Sequence, residues 1–344
     1  LIIAVIMTFV LEFAAGGIAH LLQAPVESFD KTILYIRICS AGIVIIIAYN
    51  VISGVLRGVG NANLPLLFVG IACAINILGD LLLVGVFHMD VAGAAIATVF
   101  AQFVSVVCSV VVLRKQDMPI EFSREQCRIY KEELGKILNV GVPIALQETT
   151  VQISFLVVNS VINQMGLMPS AGYGIAQKIV SFIMLVPSSI MQSVSAFVAQ
   201  NIGAGKKSRA WKGFYTAIIT GCSVGIIIFM VGFFGGGVLS SFFTNDSEVI
   251  AQSAAYLKGF SADCILTCVL FSSIGYFNGC GKSIPVMIQG ITSAFCIRIP
   301  VSIIMSRLPE TSLTYVGMAT PITTVYGIIF FMICFWRLNK KATK

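Results

Sequence analysis

Ten stretches, near residues 1–22, 33–56, 64–87, 91–113, 137–161, 172–199, 211–243, 252–277, 284–305 and 313–336, are apolar over the length that crosses a bilayer. A hydrocarbon core about 30 Å thick takes roughly 20 helical residues. Lipid supplies no partners for backbone amides, so such stretches must close their hydrogen bonds internally, and the chain reads as all-α. Only 11% of the residues are charged and the mean hydropathy is +0.95. Apolar residues are therefore not confined to one face of each helix, which excludes a water-soluble globular enzyme. The ten cysteines lie mostly within apolar runs and form no CxxC pair, as packed thiols do. No phosphate-binding loop, nucleophile elbow or paired aqueous carboxylates occur, so the reading is not an enzyme, with no cofactor.

The net charge of +7 has a topological explanation rather than a nucleic-acid one. Counted in alternate loops, sixteen of the 22 basic residues fall on one side: Arg57, six between 114 and 136, Lys206, Lys207, Arg209, Lys212, Lys282, Arg337, Lys340, Lys341 and Lys344. Lys31 and Arg307 fall on the other, and Arg37, Lys178, Lys258 and Arg298 within the apolar segments. The excess of basic residues in cytoplasmic loops places the 114–136 segment and the C-terminus in the cytoplasm of a plasma-membrane protein. That segment carries Glu121, Arg124, Glu125, Arg128, Lys131, Glu132 and Glu133 and reads as a helical, water-soluble link between two bundles. The expected division is a lobe over 1–113, a link over 114–136 and a second lobe over 137–344 with a short basic tail.

An internal repeat supports two lobes. An offset of 221 superposes Tyr35 on Tyr256, Arg37 on Lys258, Ser40 on Ser261, Ala41 on Ala262 and Glu27 on Glu248. It also brings Gly58 and Gly60 onto Gly279 and Gly281, and one gap brings Pro65 to Pro285. Corresponding loops share the same side, so these are parallel repeats related by an axis along the membrane normal. Gly16 falls on Gly237 and Leu1 near Cys222, partway into the third span of the second half. Six spans per half are expected, ten of twelve being present, with the first half lacking two at an N-terminally incomplete start. A chain in this form is expected to be inactive alone.

The glycine turns RGVGNANLP and NGCGKSIP, GVPIALQ at 141–147, AGYGIAQKI at 171–179 and AQNIGAGKKSRA at 199–210 resemble the multidrug and toxic compound extrusion (MATE) transporters, over essentially the whole chain. The resemblance implies two six-helix lobes around a central cavity, in a monomer that exports cationic or amphipathic drugs or metabolites by alternating access against Na⁺ or H⁺ entry. Two other readings remain at this stage: a lipid-linked precursor flippase of a related branch, for which the four intramembrane bases are few, and a passive channel.

Ionisable groups inside a bilayer are costly and mark candidate sites. Four acids qualify: Glu12, Asp80, Glu148 and Asp263. Asn76 and Asp80 lie four residues apart, one turn apart on one helical face, and offer hard oxygen ligands for Na⁺. The resemblance to DinF-like members adds Thr98 on the next span and Asn50 on the preceding one as ligands for Na⁺ or H⁺. The alternative is a polar network that only orients the bundle. In the second lobe Glu148, with Gln147 and Gln152, follows Pro143 and predicts a locally irregular helix. NorM-like members carry carboxylates about a turn away from both Glu148 and Asp263, where this chain has Thr267 beside the latter. Because i and i+4 share a face, Glu148, Asp263, Gln147, Gln152 and Gln177 are candidates for the substrate cavity or second-lobe coupling; ion pairs with Lys178 or Lys258 are the alternative. Gln177 sits on a span kinked by Pro187. Arg37 and Lys258 are read as snorkelling, and Arg298 as deep, with an unnamed acidic partner.

Overall fold

A computed structural model describes residues 2–21, 28–115, 130–308 and 312–342, and no strand occurs among them. The chain divides into two compact units, Leu1–Cys127 and Arg128–Lys344. The first contains α1 (Ile2–Leu21), α2 (Phe29–Ala41), α3 (Ile43–Gly58), α4 (Asn63–Asp80, continued by a π turn over Leu81–Val86) and α5 (Asp90–Lys115). The second contains α6 (Lys131–Asn163), α7 (Leu167–Ile183), α8 (Leu185–Gly203), α9 (Lys207–Ser241), α10 (Ser247–Phe260) and α11 (Asp263–Gly279). It continues with α12 (Ser283–Thr292), a π turn over Ser293–Arg298, α13 (Ile299–Ser306), α14 (Leu313–Gly317) and α15 (Ala319–Ala342).

Among the described residues eight helices or helix runs are long and apolar enough to cross a membrane, and up to ten if each of two bent pairs is one span. Their outer faces are apolar: Phe13 is 88% exposed and Phe234 76%. Water would penalise such a surface, and lipid does not. Much of the expected link, 116–129, lies outside the described residues. Lys131, Glu132 and Glu133, counted with the link, form the first turn of α6. That extension changes the position of Pro143. It sits buried in the interior of a continuous helix instead of near an irregular start, so the local irregularity expected there does not occur. At Pro187 the ladder does break. The ring has no N–H for the carbonyl of Ile183, and the helix is interrupted at Met184 between α7 and α8.

The repeat reappears as matched geometry inside each unit. α2 and α3 meet at a bend of 49°, and α10 and α11 at a bend of 49°. The equivalent serines stand at the two breaks, Ser40 Oγ donating to the carbonyl of Ile36 at 2.6 Å and Ser261 Oγ to that of Lys258 at 2.8 Å. Serine hydroxyls bonded back to the preceding turn bend helices. Equivalent side chains also meet. Arg37 Nε lies 3.9 Å from Glu12 Oε2 in the first unit, and Lys258 Nζ lies 5.2 Å from the Phe233 ring in the second. Glu12 and Phe233 are themselves equivalent in the repeat, so one helix contact is kept with two chemistries. The pairing with Arg37 also gives Glu12 a structural explanation.

The glycine turns close three helices in one way. Gly60, Gly205 and Gly281 have φ of +92°, +75° and +69°. At the third, the amide of Gly281 bonds the Asn278 carbonyl and that of Lys282 the Phe277 carbonyl, each at 2.9 Å. This left-handed cap satisfies carbonyls that would otherwise end the helix unpaired. A Cβ on Gly281 meets nothing within 4 Å, so Gly281→Ala costs conformational energy alone. We expect a loss of about 1 kcal/mol, less for Gly281→Asn, measured as a lowered thermal midpoint in detergent.

In the second unit aromatic contacts run through an otherwise aliphatic core. Tyr173 and Tyr256 meet edge to face, with ring centroids 5.0 Å apart. Trp211, Phe214, Tyr276, Phe277 and Phe335 form a second cluster where α9, α11 and α15 converge. In the first unit Tyr49, Leu56 and Phe68 are buried together, and the Tyr49 hydroxyl donates to the Pro65 carbonyl at 3.1 Å.

Candidate functional site

Each unit has a cavity bounded by its own helices, largely apolar with a few polar side chains. In the first, a cavity of about 230 Å³ is lined by Tyr49, Val69, Ala72, Cys73, Asn76, Thr98, Ala101 and Gln102. Asn76 on α4 donates through Nδ2 to Thr98 Oγ1 on α5 at 3.3 Å, and the Thr98 hydroxyl donates in turn to the Ala94 carbonyl at 2.9 Å. The Asn76 carbonyl oxygen is thereby turned away from the contact. Asp80 follows one turn along α4, just outside the lining, and its Oδ1 is buried without a hydrogen-bond partner. The buried Gln102 Oε1 is likewise unpartnered. Two half-buried residues on adjacent helices, Asp80 on α4 and Gln102 on α5, thus each hold one buried oxygen with no donor.

Asn50 does not join them. Its side chain is exposed and its Nδ2 donates to the Ile46 carbonyl at 2.9 Å. The neighbouring Tyr49, on the buried face of α3, lines the cavity instead. One residue along a helix is a rotation of about 100°, enough to exchange an inward position for an outward one. Gln102 was not foreseen, although its spacing of four from Thr98 carries the signal.

In the second unit a cavity of about 180 Å³ lies among α6, α7, α10, α11, α12, α15 and the π turn before α13. Asp263, first residue of α11 after the bend, is 2% exposed, and its Oδ2 accepts from Thr267 Oγ1 at 2.6 Å. Thr267 is the position one turn along that the spacing placed on the same face. Gln147, Glu148, Gln289, Ser293, Thr320, Thr323 and Thr324 add polar lining, and Phe155, Phe260, Leu270, Phe271 and Ile274 apolar lining. Gln289 Nε2 donates to Ser293 Oγ at 2.7 Å, and the hydroxyls of Thr323 and Thr324 are bonded back to the carbonyls of Ala319 and Thr320. Gln147 is buried against α12, where Gly290 leaves room for it.

Glu148 lines this cavity from an exposed position. The ion pairs among the described residues are Lys31–Asp90, Arg37–Glu12 and Lys136–Glu133, so neither Lys178 nor Lys258 pairs with Glu148 or Asp263. Gln152 is exposed and apart from the lining. Gln177 also stands outside it and donates to the Tyr173 hydroxyl.

The residue whose importance the sequence left unplaced is Arg298. It closes the π turn, two residues before Pro300, whose ring has no N–H for the Cys296 carbonyl. Its Nη1 donates to Ser154 Oγ at 2.9 Å, its guanidinium lies 4.4 Å from the centroid of the Phe155 ring, and its Nε is buried without a partner. Arg298 and Asp263 line one cavity without forming an ion pair.

No group of three or more His, Cys, Asp or Glu side chains suited to a metal ion occurs among the described residues.

Comparison with known proteins follows the same lines. The chain is 25% identical over 334 residues to the probable multidrug resistance protein YpnP of Bacillus subtilis, covering 96% of this chain and 75% of that one. It is 26% identical over 318 residues to the multidrug export protein MepA of Staphylococcus saprophyticus, covering 90% of this chain and 68% of the relative. A solved multidrug resistance MATE family transporter in an outward-facing conformation shares the fold, with a TM-score of 0.93 at 22% identity over 99% of this chain and 76% of its own. The MatE family profile matches residues 1–82 and 143–304, more than half of the sequence, and the chain belongs to the MatE family of membrane transporters.

Proposed function

We propose that this protein is a secondary active multidrug exporter, driving amphipathic or cationic compounds outward against the entry of Na⁺ or H⁺. The observation that carries the reading is the unpartnered, buried Oδ1 of Asp80 one turn from the Asn76–Thr98 pair. A carboxylate in an apolar bundle is stable there only when something compensates its charge. Asp80, Asn76 and Thr98, with Gln102 in place of Asn50, bind the coupling ion. Its occupancy changes the packing of the first unit, and alternating access follows from two states of different ion affinity. Glu148, Asp263, Gln147 and Arg298 form a second site that contacts substrate or couples to it. YpnP and MepA are named for multidrug resistance and export, which favours small-molecule substrates over a lipid-linked precursor. The second cavity agrees, since it sets two acids against the single Arg298 and so offers little to a pyrophosphate. In this reading the protein acts as a monomer in the plasma membrane, and the distribution of basic residues supports a cytoplasmic C-terminus.

The test is ethidium accumulation in cells expressing the protein, with the Na⁺ and H⁺ gradients collapsed separately by selective ionophores. Efflux that stops with one gradient and survives loss of the other is the expected result. Efflux indifferent to both gradients overturns the coupling, and ethidium accumulation identical to that of empty-vector cells overturns export.

A further inference from the structure

Buried Asp263 and half-buried Arg298, of opposite charge, share the second cavity, and each keeps one buried polar atom without a partner. Asp263 accepts at Oδ2 from Thr267 and has no hydrogen-bond partner at Oδ1, the neighbouring Thr324 hydroxyl being bonded to the Thr320 carbonyl. Arg298 gives Nη1 to Ser154 and one face to Phe155, and leaves Nε–H without an acceptor. No ion pair joins the two among the described residues. Buried polar atoms are paired almost everywhere in folded proteins, and a matched donor and acceptor left open on one cavity describe a missing ligand with both poles. We propose that this cavity is a subsite for zwitterionic compounds, with Arg298 receiving a carboxylate and Asp263 an ammonium group. The proposal rests on the exporter reading and narrows its substrate class.

The geometry supports that assignment over a plain cation or a plain anion. A guanidinium held by Ser154 and Phe155 has a fixed plane, and its Nε edge is suited to a planar carboxylate. A ligand carrying only positive charge meets Asp263 and Glu148 but leaves the buried Nε–H of Arg298 unpaired. One carrying only negative charge meets Arg298 but is opposed by Asp263. Opposition of this kind sets selectivity as effectively as attraction. The volume of about 180 Å³ corresponds to roughly six waters at about 30 Å³ each, room for one aryl ring with a charged group at either end. Phe260, Leu270, Phe271 and Ile274 supply an apolar wall for such a ring.

The experiment is equilibrium binding to the purified full-length protein in lipid nanodiscs, with no ion gradient. The probes are 4-(aminomethyl)benzoate, its methyl ester, which is a cation, and its N-acetyl derivative, which is an anion. The zwitterion is expected to bind at least tenfold more tightly than either single-charge probe. Arg298→Gln removes its advantage over the ester, Arg298→Lys retains part of it, and Asp263→Asn removes its advantage over the N-acetyl compound. Thermal melting shows that each variant is folded. If Arg298→Gln fails to fold, Arg298→Lys decides, because loss of the planar fork must still reduce the zwitterion-to-ester ratio. Equal affinities for all three probes, no binding of any of them, or a ratio unchanged by both Arg298 variants overturns the proposal. Because no gradient is present, a negative result here is separable from failure of ion-coupled export.

Discussion

Asp80→Asn is expected to reduce ion-dependent efflux to background while leaving the protein folded. The substitution is nearly isosteric. Asp80 Oδ1 has no hydrogen-bond partner, so the change sacrifices no protein contact at that atom. What it removes is the charge that a cation or proton would neutralise. Loss of about 3 kcal/mol of ion binding, modest for a carboxylate and a monovalent cation at short range, corresponds to more than a hundredfold weaker occupancy. The Asn76–Thr98 bond carries much less stability, since polar contacts between membrane helices average near 0.6 kcal/mol. Asn76→Ala and Thr98→Ala should therefore weaken ion dependence by about three- to tenfold without impairing folding. Asn50→Ala should change nothing, because that amide is turned to the Ile46 carbonyl and away from the cavity. The measurements are gradient-driven efflux and melting temperature in parallel. Efflux by Asp80→Asn at the unsubstituted rate removes Asp80 from the coupling site.

Those expectations depend on which parts of the molecule spacing alone makes legible. Relations within one helix were readable: Asn76 with Asp80, and Asp263 with Thr267, follow from a repeat of 3.6 residues. The repeat offset was readable too, and it placed Gly60 opposite Gly281, where the backbone takes the same left-handed turn. The phase of α3 was not, since a span apolar on every side gives no sign of which face is inward, and Tyr49 lines the cavity where Asn50 was expected for that reason. Nor was the company of Arg298. Its partners Ser154 and Phe155 come from α6, more than 140 positions earlier, and no periodicity connects them. The bends at Ser40 and Ser261 had their signal in the repeat itself, as a matched Ser-Ala pair. Hydropathy nevertheless reads straight through such a break, because bending a helix leaves its composition unchanged.

Gly259→Ala is expected to be the most destabilising single-methyl change in the second unit. Its Cβ would overlap the Thr314 carbonyl oxygen and approach the Thr314 carbonyl carbon to 2.9 Å and the Met318 amide to 3.2 Å. Across the same contact, a Cβ on Gly317 would come within 2.6 Å of the Tyr256 carbonyl oxygen. α10 and α14 thus touch backbone to backbone through a reciprocal pair of glycines, the close approach that small residues permit between membrane helices. No flexible side chain can yield. α10 is itself held by Tyr256, Leu257 and Phe260 in the core with Tyr173. We expect a loss of about 3 kcal/mol or more, at the upper end for overpacked cores, and a correspondingly large fall in melting temperature. Gly235→Ala, where a Cβ meets nothing within 4 Å, should be neutral or slightly stabilising, as alanine is the better helix former by about 1 kcal/mol. Equal melting of the two variants contradicts the contact. The consequence extends to the cavity: Gly259 lies four residues before Asp263, and α14 leads directly into α15 with Thr320, Thr323 and Thr324. A methyl group that separates α10 from α14 therefore moves two walls of the site at once. Gly259→Ala that survives in nanodiscs should lose zwitterion binding even though position 259 touches no ligand.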